Sequence, residues 1–157
     1  MTNNHFAAKI GPAMSETFEK KCAEIKKKFG PLSGEARVQA LMEMGRRLPP
    51  FPPELKTQDR MVQGCQSILY LNGTLREGKL YFEAAADALV SAGLAALLIA
   101  AYSGEDPETI LTCPPAFISE LGITASLSPN RSNGLAHIHL RMKQEALKTF
   151  VNKEQPA

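Results

Sequence analysis

Three cysteines are the main candidate nucleophiles of this sequence near neutral pH, and they lie in different contexts. Cys22 falls on the apolar stripe of a predicted helix, where a thiol usually packs as a small hydrophobic group. Cys113 precedes two prolines in a predicted connector, a position that allows partial exposure but offers no activating group. Cys65 is therefore the candidate for thiol chemistry.

The residues around Cys65 favour a hydrogen-bonded loop. Gly64 has no Cβ, so it permits a positive φ or a close approach of another part of the chain. Gln63, Gln66 and Ser67 offer hydrogen bonds without a fixed charge. This pattern predicts a nucleophilic thiol at a loop-to-strand junction, and a purely structural cysteine is the alternative.

A metal site is the first rival interpretation. The sequence has no Cys-x-x-Cys pair and no closely spaced set of Cys and His. His137 and His139 are two residues apart on a predicted helix, about 200° apart around its axis, so they cannot bind one ion together. A pairing of Cys65 with one of these histidines stays open. Residues 128–134 lack the glycine spacing and the lysine of a phosphate-binding loop.

Composition argues against several functional classes. The chain has 157 residues, 44% of them hydrophobic, and this length favours one domain. A net charge of +2, no Trp and only three Tyr argue against nucleic-acid binding. The only membrane candidate, residues 84–102, contains Asp87, Ser91 and Gly93, so we interpret it as a buried helix. An odd number of cysteines and no signal-peptide pattern predict a cytoplasmic protein.

Apolar spacing predicts two amphipathic helices at the start of the domain. The first begins near Ser15 and ends at Gly30, with apolar residues at steps of four, three and four. The second begins near Ser33 and ends near Arg47, because the prolines that follow remove amide donors. Cys22 lies on the first stripe, so it is expected to face the core.

A β-hairpin is predicted next, from strand-like runs at residues 68–71 and 80–82. The turn between them could lie at residues 72–73 or at residues 76–78, and both choices give antiparallel strands. We favour residues 76–78 because this choice gives the longer strands.

A long apolar helix is predicted after the hairpin. Asp87 is expected to cap it or to lie in its first turn, and it runs to about Ser103. Two short helices then lead to a last helix that starts at residues 128–133 and ends near Asn152. The predicted inner stripe of the last helix is Leu135, Ile138, Met142, Ala146 and Phe150.

Four segments together resemble the SufE family of sulfur-acceptor proteins. They are residues 62–67, which read Val-Gln-Gly-Cys-Gln-Ser, and residues 48–56, 87–94 and 127–135. The resemblance implies an α+β fold, a single compact domain with a small antiparallel sheet packed against several helices, as in IscU-type scaffolds. The expected organisation is a flexible N-terminal arm at 1–13, the SufE-like domain at 14–152 and a C-terminal tail at 153–157.

The resemblance also implies a function. The motif cysteine of the family, here Cys65, accepts sulfane sulfur from a pyridoxal-phosphate (PLP) cysteine desulfurase of the SufS or CsdA type and stimulates that enzyme. The sulfur then passes to a SufB-containing scaffold complex for iron–sulfur cluster assembly. The chain itself is expected to hold no cofactor or metal, to have no independent turnover, and to be a monomer or a weak homodimer.

By position, the resemblance places supporting or partner-binding residues around Cys65. Asp87 matches an acidic residue of the desulfurase contact region, and Arg131 matches the arginine of a Ser-Arg-x-x-Gly segment. The other expected members are Gly64, Gln66 and Ser67. A positive charge from Arg60 or Arg131 could favour the thiolate. Two alternative functions stay open: a non-catalytic iron–sulfur scaffold or adaptor, and a thiol redox protein.

Overall fold

The computed structural model describes residues 15–154. Its helices and strands, in chain order, are α1 (Glu16–Phe29), α2 (Gly34–Arg46), β1 (Leu69–Arg76), β2 (Lys79–Ala86), α3 (Leu89–Tyr102), α4 (Pro107–Thr112), α5 (Ala116–Glu120) and α6 (Pro129–Glu154). Short 3₁₀ turns occur at Pro53–Leu55, Gln58–Arg60 and Ile123–Ser126. The arm predicted for residues 1–13 and the last three residues of the predicted tail lie outside the described residues.

The apolar helix α3 lies at the centre of the fold. Ten of its fourteen residues are buried, and it packs against α1, α2, α6 and β2. Its approach to α2 is close because two glycines face each other. A Cβ on Gly93 would lie 2.1 Å from the Leu41 carbonyl oxygen, and one on Gly45 would lie 2.7 Å from the Gly93 nitrogen. The predicted buried helix is confirmed.

The membrane candidate of the sequence is divided between two elements, since residues 84–86 end β2 and the helix begins only at Leu89. No helix within residues 15–154 combines the length and the apolar character needed to cross a bilayer.

The two strands form an antiparallel sheet in which Arg76 pairs with Lys79. Only Glu77 and Gly78 remain for the turn, and both have positive φ, 50° and 79°. This is the pattern of a type I′ turn, whose twist matches that of the flanking strands. The turn at residues 76–78 is confirmed, whereas residues 72–73 lie inside β1. The sheet packs on the helices, so the α+β fold is also confirmed.

The predicted capping role of Asp87 is wrong. Helix α3 begins at Leu89, with Ala88 as its N-cap residue. Asp87 instead continues the strand pairing by one residue: its backbone N–H donates to the Ile68 carbonyl, and its carboxylate accepts from the Ile68 N–H, both at 3.0 Å. The carboxylate is therefore bound to the other strand rather than to the start of the helix.

The prediction for Phe150 is also wrong, and Cys113 is more buried than its sequence context required. Phe150 is 41% exposed, because the buried stripe of α6 ends at Ala146 and Phe150 lines an open groove beside the hairpin. Cys113 is 1% exposed, since its connector is held inward by the Tyr102 hydroxyl, which donates to the Cys113 carbonyl at 2.7 Å. Cys22 faces the core as predicted.

Candidate functional site

Cys65 lies in a loop that leads into β1. At the base of this loop the Val62 N–H donates to the Leu69 carbonyl at 2.8 Å, so both ends of residues 63–68 are fixed. Gly64 turns the chain at a φ of +88°, which the absence of a Cβ permits. The predicted loop-to-strand junction is confirmed. We call residues 63–68 the cysteine loop.

The thiol of Cys65 is half-buried and points toward helix α6. Its Sγ lies 3.9 Å from the Gly134 carbonyl oxygen, at the long limit for a sulfur hydrogen bond. Beside it is a recess with about 10 Å³ of free volume, roughly the space that one water molecule needs. The recess is lined by Leu69, Leu94 and Ile138 on its apolar side and by Ser91, Asn130 and Arg131 on its polar side. The site thus has room for about one extra atom next to the sulfur.

Burial raises the pKa of the Cys65 thiol above its ordinary value. Arg131 donates from Nη1 to the Ser91 hydroxyl at 2.6 Å, and Arg60 donates from Nε to the Asn72 side-chain oxygen at 2.9 Å. Both guanidinium groups therefore bind neutral oxygens, and burial, not a neighbouring charge, sets the pKa of the thiol. The arrangement does not support the hypothesis that either arginine favours the thiolate, and the thiol is mainly protonated at neutral pH.

A shared hydroxyl joins the cysteine loop to two helices. Ser91 of α3 is 5% exposed, and its oxygen accepts hydrogen bonds from the Ser67 hydroxyl and from Arg131. Ser67 and Arg131 were predicted from the sequence, whereas Ser91 was not predicted as a site residue. The available signal was that Ser91 is the only serine in a helix that is otherwise mostly apolar. This contact fixes the end of the loop that leads into β1.

The remaining predicted residues also lie at the loop. Gln66 is exposed and lines the recess, while Asp87 binds the loop residue Ile68 through the Asp87 carboxylate. Gly64 is exposed at the turn of the loop. The structure thus brings together all six residues that the resemblance assigned to the site, although their roles in sulfur transfer or partner binding stay predictions.

The two histidines of α6 face different surroundings. The imidazole of His137 packs against Gly64, next to Cys65 in the chain. His139 instead stacks on Tyr102, with ring centroids 5.4 Å apart. Burial and, to a smaller extent, the charge of Lys143 lower the pKa of His139 to about 4. His139 is therefore neutral near pH 7 and partly buried. The sequence did not predict that His137 would contact the loop through Gly64.

A metal centre has no basis in the described part of the chain. Between residues 15 and 154, no group of three or more His, Cys, Asp or Glu side chains is placed to hold an ion. The group that the site presents to its recess is the single thiol of Cys65.

The fold and the site together define a small α+β protein with one half-buried cysteine, the candidate reactive group, on a loop before a hairpin. The family model SufE, described as an Fe-S metabolism associated domain, matches residues 23–146. The chain belongs to the SufE family, which confirms the resemblance found in the sequence.

Individual proteins show the same relationship. The sulfur acceptor protein CsdE of Escherichia coli is 35% identical over 114 residues, which are 71% of this chain and 78% of that protein. The SufE-like protein 1, chloroplastic/mitochondrial, of Arabidopsis thaliana is 34% identical over 89% of this chain, but the match spans only 38% of the Arabidopsis protein. The solution structure of a hypothetical protein from Thermus thermophilus superposes with a TM-score of 0.70 at 28% identity, covering 83% of this chain and 96% of that one.

Proposed function

We propose that this protein is a sulfur acceptor in iron–sulfur metabolism, with Cys65 as the accepting residue. The donor is a PLP-dependent cysteine desulfurase of the SufS or CsdA type, which this protein also stimulates, and the sulfur is passed on to a SufB-containing scaffold complex. Three observations support the proposal: the family match, the similarity to a protein named sulfur acceptor, and the half-buried thiol of Cys65 beside a recess of about one atom. The last of these carries the assignment to Cys65.

The transfer step is a thiol–disulfide type exchange. The Cys65 thiolate attacks the terminal sulfur of the persulfide on the donor cysteine, and a new sulfur–sulfur bond forms at Cys65. The sulfur–sulfur bond of the donor breaks, and the donor cysteine leaves as a thiolate. The proton released by Cys65 is balanced by protonation of the donor, so no external oxidant or reductant is required. The product is a persulfide on Cys65.

Positioning, rather than a catalytic base, sets the rate of this step. Burial raises the pKa of Cys65, so the thiol inside the recess is a poor nucleophile. Contact with the donor that draws the cysteine loop outward restores an ordinary thiol pKa and aligns the two sulfurs. Alignment of this kind supplies effective molarities on the order of 10⁵ M or more, far above the gain from full ionisation of the thiol.

The thiol redox alternative is less well supported. A sulfenic acid on Cys65 is usually resolved by a second accessible thiol. The other two cysteines are buried, with 8% exposure at Cys22 and 1% at Cys113, so neither can reach Cys65 without opening the core. A carrier that hands its sulfur to another protein needs no such partner.

The test is to incubate the protein with a cysteine desulfurase and cysteine, and to map the modified peptide by mass spectrometry. We expect one or more added sulfur atoms on Cys65, and we expect Cys65→Ser to lose both the adduct and the stimulation of the desulfurase. Cys113→Ala is the matched control, since it removes a buried thiol and should keep both. Sulfur found elsewhere in wild type, or stimulation kept by Cys65→Ser, would refute the proposal.

A further inference from the structure

Helix α6 meets the cysteine loop through two residues one turn apart. Gly134 faces Cys65, and a Cβ on this glycine would lie 3.8 Å from Sγ. His137, three residues later and on the same face of the helix, meets Gly64. The contact is complementary in size: a small helix residue faces the cysteine, and a large helix residue faces the glycine.

The contact between His137 and Gly64 is tight. A Cβ built on Gly64 would lie 2.5 Å from Cδ2 and Nε2 of the imidazole and 2.6 Å from Cε1. The Nε2 edge of the ring therefore occupies the space that any side chain at position 64 would need. His137 is half-buried and Gly64 is exposed. The ring therefore covers the loop only in part.

The side-chain hydrogen bonds of the loop are concentrated in its second half. Ser67 donates to Ser91, and Ile68 pairs with Asp87, so the side chains that hold the loop in place act on its second half. In the first half, two contacts reach helix α6: His137 packs on Gly64, and the Cys65 thiol lies 3.9 Å from the Gly134 carbonyl oxygen.

We infer that His137 is a positioning residue, which keeps the cysteine loop closed by packing on Gly64 so that the Cys65 thiol stays against Gly134. Closed here means the described conformation, and open means that the loop has left helix α6. The biological meaning of this device rests on the proposed function, because the loop must open for Cys65 to reach a donor. The contact itself is testable without any donor.

The experiment measures how fast iodoacetamide alkylates Cys65 in the folded protein, read from the Cys65 peptide by mass spectrometry. We expect His137→Ala to speed alkylation about three- to tenfold, because the rate scales with the open population of the loop. The buried Cys22 is the internal reference and should stay slow. Leu140→Ala is the matched control, since Leu140 is 47% exposed on the next turn of the same helix.

Two further variants separate packing at this contact from a general effect on folding. His137→Phe keeps a flat ring over Gly64, so it should return the alkylation rate to near the wild-type value. Gly64→Ala disturbs the loop from the other side, because its Cβ would collide with the imidazole and because position 64 has a φ of +88°, and it should also speed alkylation. Thermal unfolding of each variant confirms that the compared proteins are folded.

The inference is overturned if His137→Ala alkylates at the wild-type rate, if Leu140→Ala speeds the reaction equally, or if His137→Phe fails to restore the slow rate. Sulfur transfer is scored separately on the same proteins. If the variants are alkylated at the expected rates but no desulfurase-dependent adduct forms on Cys65, the proposed function is refuted and the role of His137 stands. If the adduct forms on Cys65 but His137→Ala is alkylated at the wild-type rate, the proposed function stands and the role of His137 is refuted.

Discussion

Replacing Ser91 with alanine removes the hydroxyl that links the cysteine loop to the core. In the native protein this oxygen accepts one hydrogen bond from Ser67 and one from the guanidinium of Arg131 at 2.6 Å. Ser91→Ala deletes both hydrogen bonds but keeps the Cβ, so it does not disturb the packing of α3 beyond the lost oxygen. The variant therefore isolates the polar contribution of this contact.

The two lost hydrogen bonds act on different equilibria. Opening of the cysteine loop breaks only the bond from Ser67, a neutral pair with a net value of about 0.5 to 1.5 kcal/mol, which corresponds to a two- to tenfold larger open population. Global unfolding breaks the Arg131 bond as well, and a bond to a charged group contributes about 1.5 to 3 kcal/mol. We therefore expect Ser91→Ala to lower the free energy of unfolding by about 2 to 4 kcal/mol.

Two assays on the same samples measure these quantities: alkylation of Cys65 under native conditions, and unfolding in urea. Ser103→Ala is the control, because the Ser103 hydroxyl accepts from the Phe82 N–H at 2.9 Å at the other end of α3. It should lower stability without changing the alkylation rate. If Ser91→Ala loses stability but alkylates at the wild-type rate, then Ser91 does not hold the loop, and the reasoning is refuted.

Three other perturbations test the fold and the thiol. Burial and the charge of Lys143 lower the folded-state pKa of His139 to about 4, below its ordinary 6.5. The folded protein therefore has its full stability above about pH 6.5, and up to about 3 kcal/mol of it is lost as the pH falls toward 4 and His139 must be protonated. Urea unfolding at pH 7 and pH 4.5 should show this loss, and His139→Phe should reduce it. Gly93→Ala should destabilise the protein by about 3 kcal/mol in the same assay, since its Cβ would collide with the Leu41 carbonyl; an unchanged midpoint would contradict the close α2–α3 packing. Because burial raises the pKa of Cys65, its alkylation rate should rise with pH through a midpoint above about 8.5, and a lower midpoint would reveal an activating charge.

Features set by local chemistry were predictable from the sequence. The turn at residues 76–78 was predictable because it gives the longer strands and because Gly78 takes a positive φ without strain. The all-round apolar character of α3 requires burial whatever surrounds it. Cys65 stood out for a similar reason: Gly64 and the uncharged polar residues beside it favour a loop. The resemblance to a family then supplied the other residues of the site by position.

Contacts between distant segments were not predictable in the same way. Ser91 and His137 reach the cysteine loop from two helices, and nothing in the residues next to them indicates that partner. Asp87 was predicted to cap α3 because an acidic residue before a helix normally does so. Here the strand pairing continues to Ile68, and the Ile68 N–H donates to the Asp87 carboxylate instead. Phe150 continues the helical spacing of the apolar stripe, which is why it was predicted to be buried, but the core ends one turn earlier, at Ala146.

A sulfur carrier faces two opposite requirements at one atom. Between transfers its thiol or persulfide must resist small oxidants and reductants, and during transfer it must be a nucleophile aligned with the donor. Burial in the recess meets the first requirement by raising the pKa of Cys65. The same burial opposes the second requirement, since a raised pKa leaves little thiolate. Arg60 and Arg131 do not offset this effect, because their guanidinium groups bind neutral oxygens. Under the proposed function, activation comes from leaving the recess, and a donor surface that displaces the loop from helix α6 would both expose the sulfur and restore its ordinary pKa. In this scheme docking and activation are one event, and a separate general base is unnecessary.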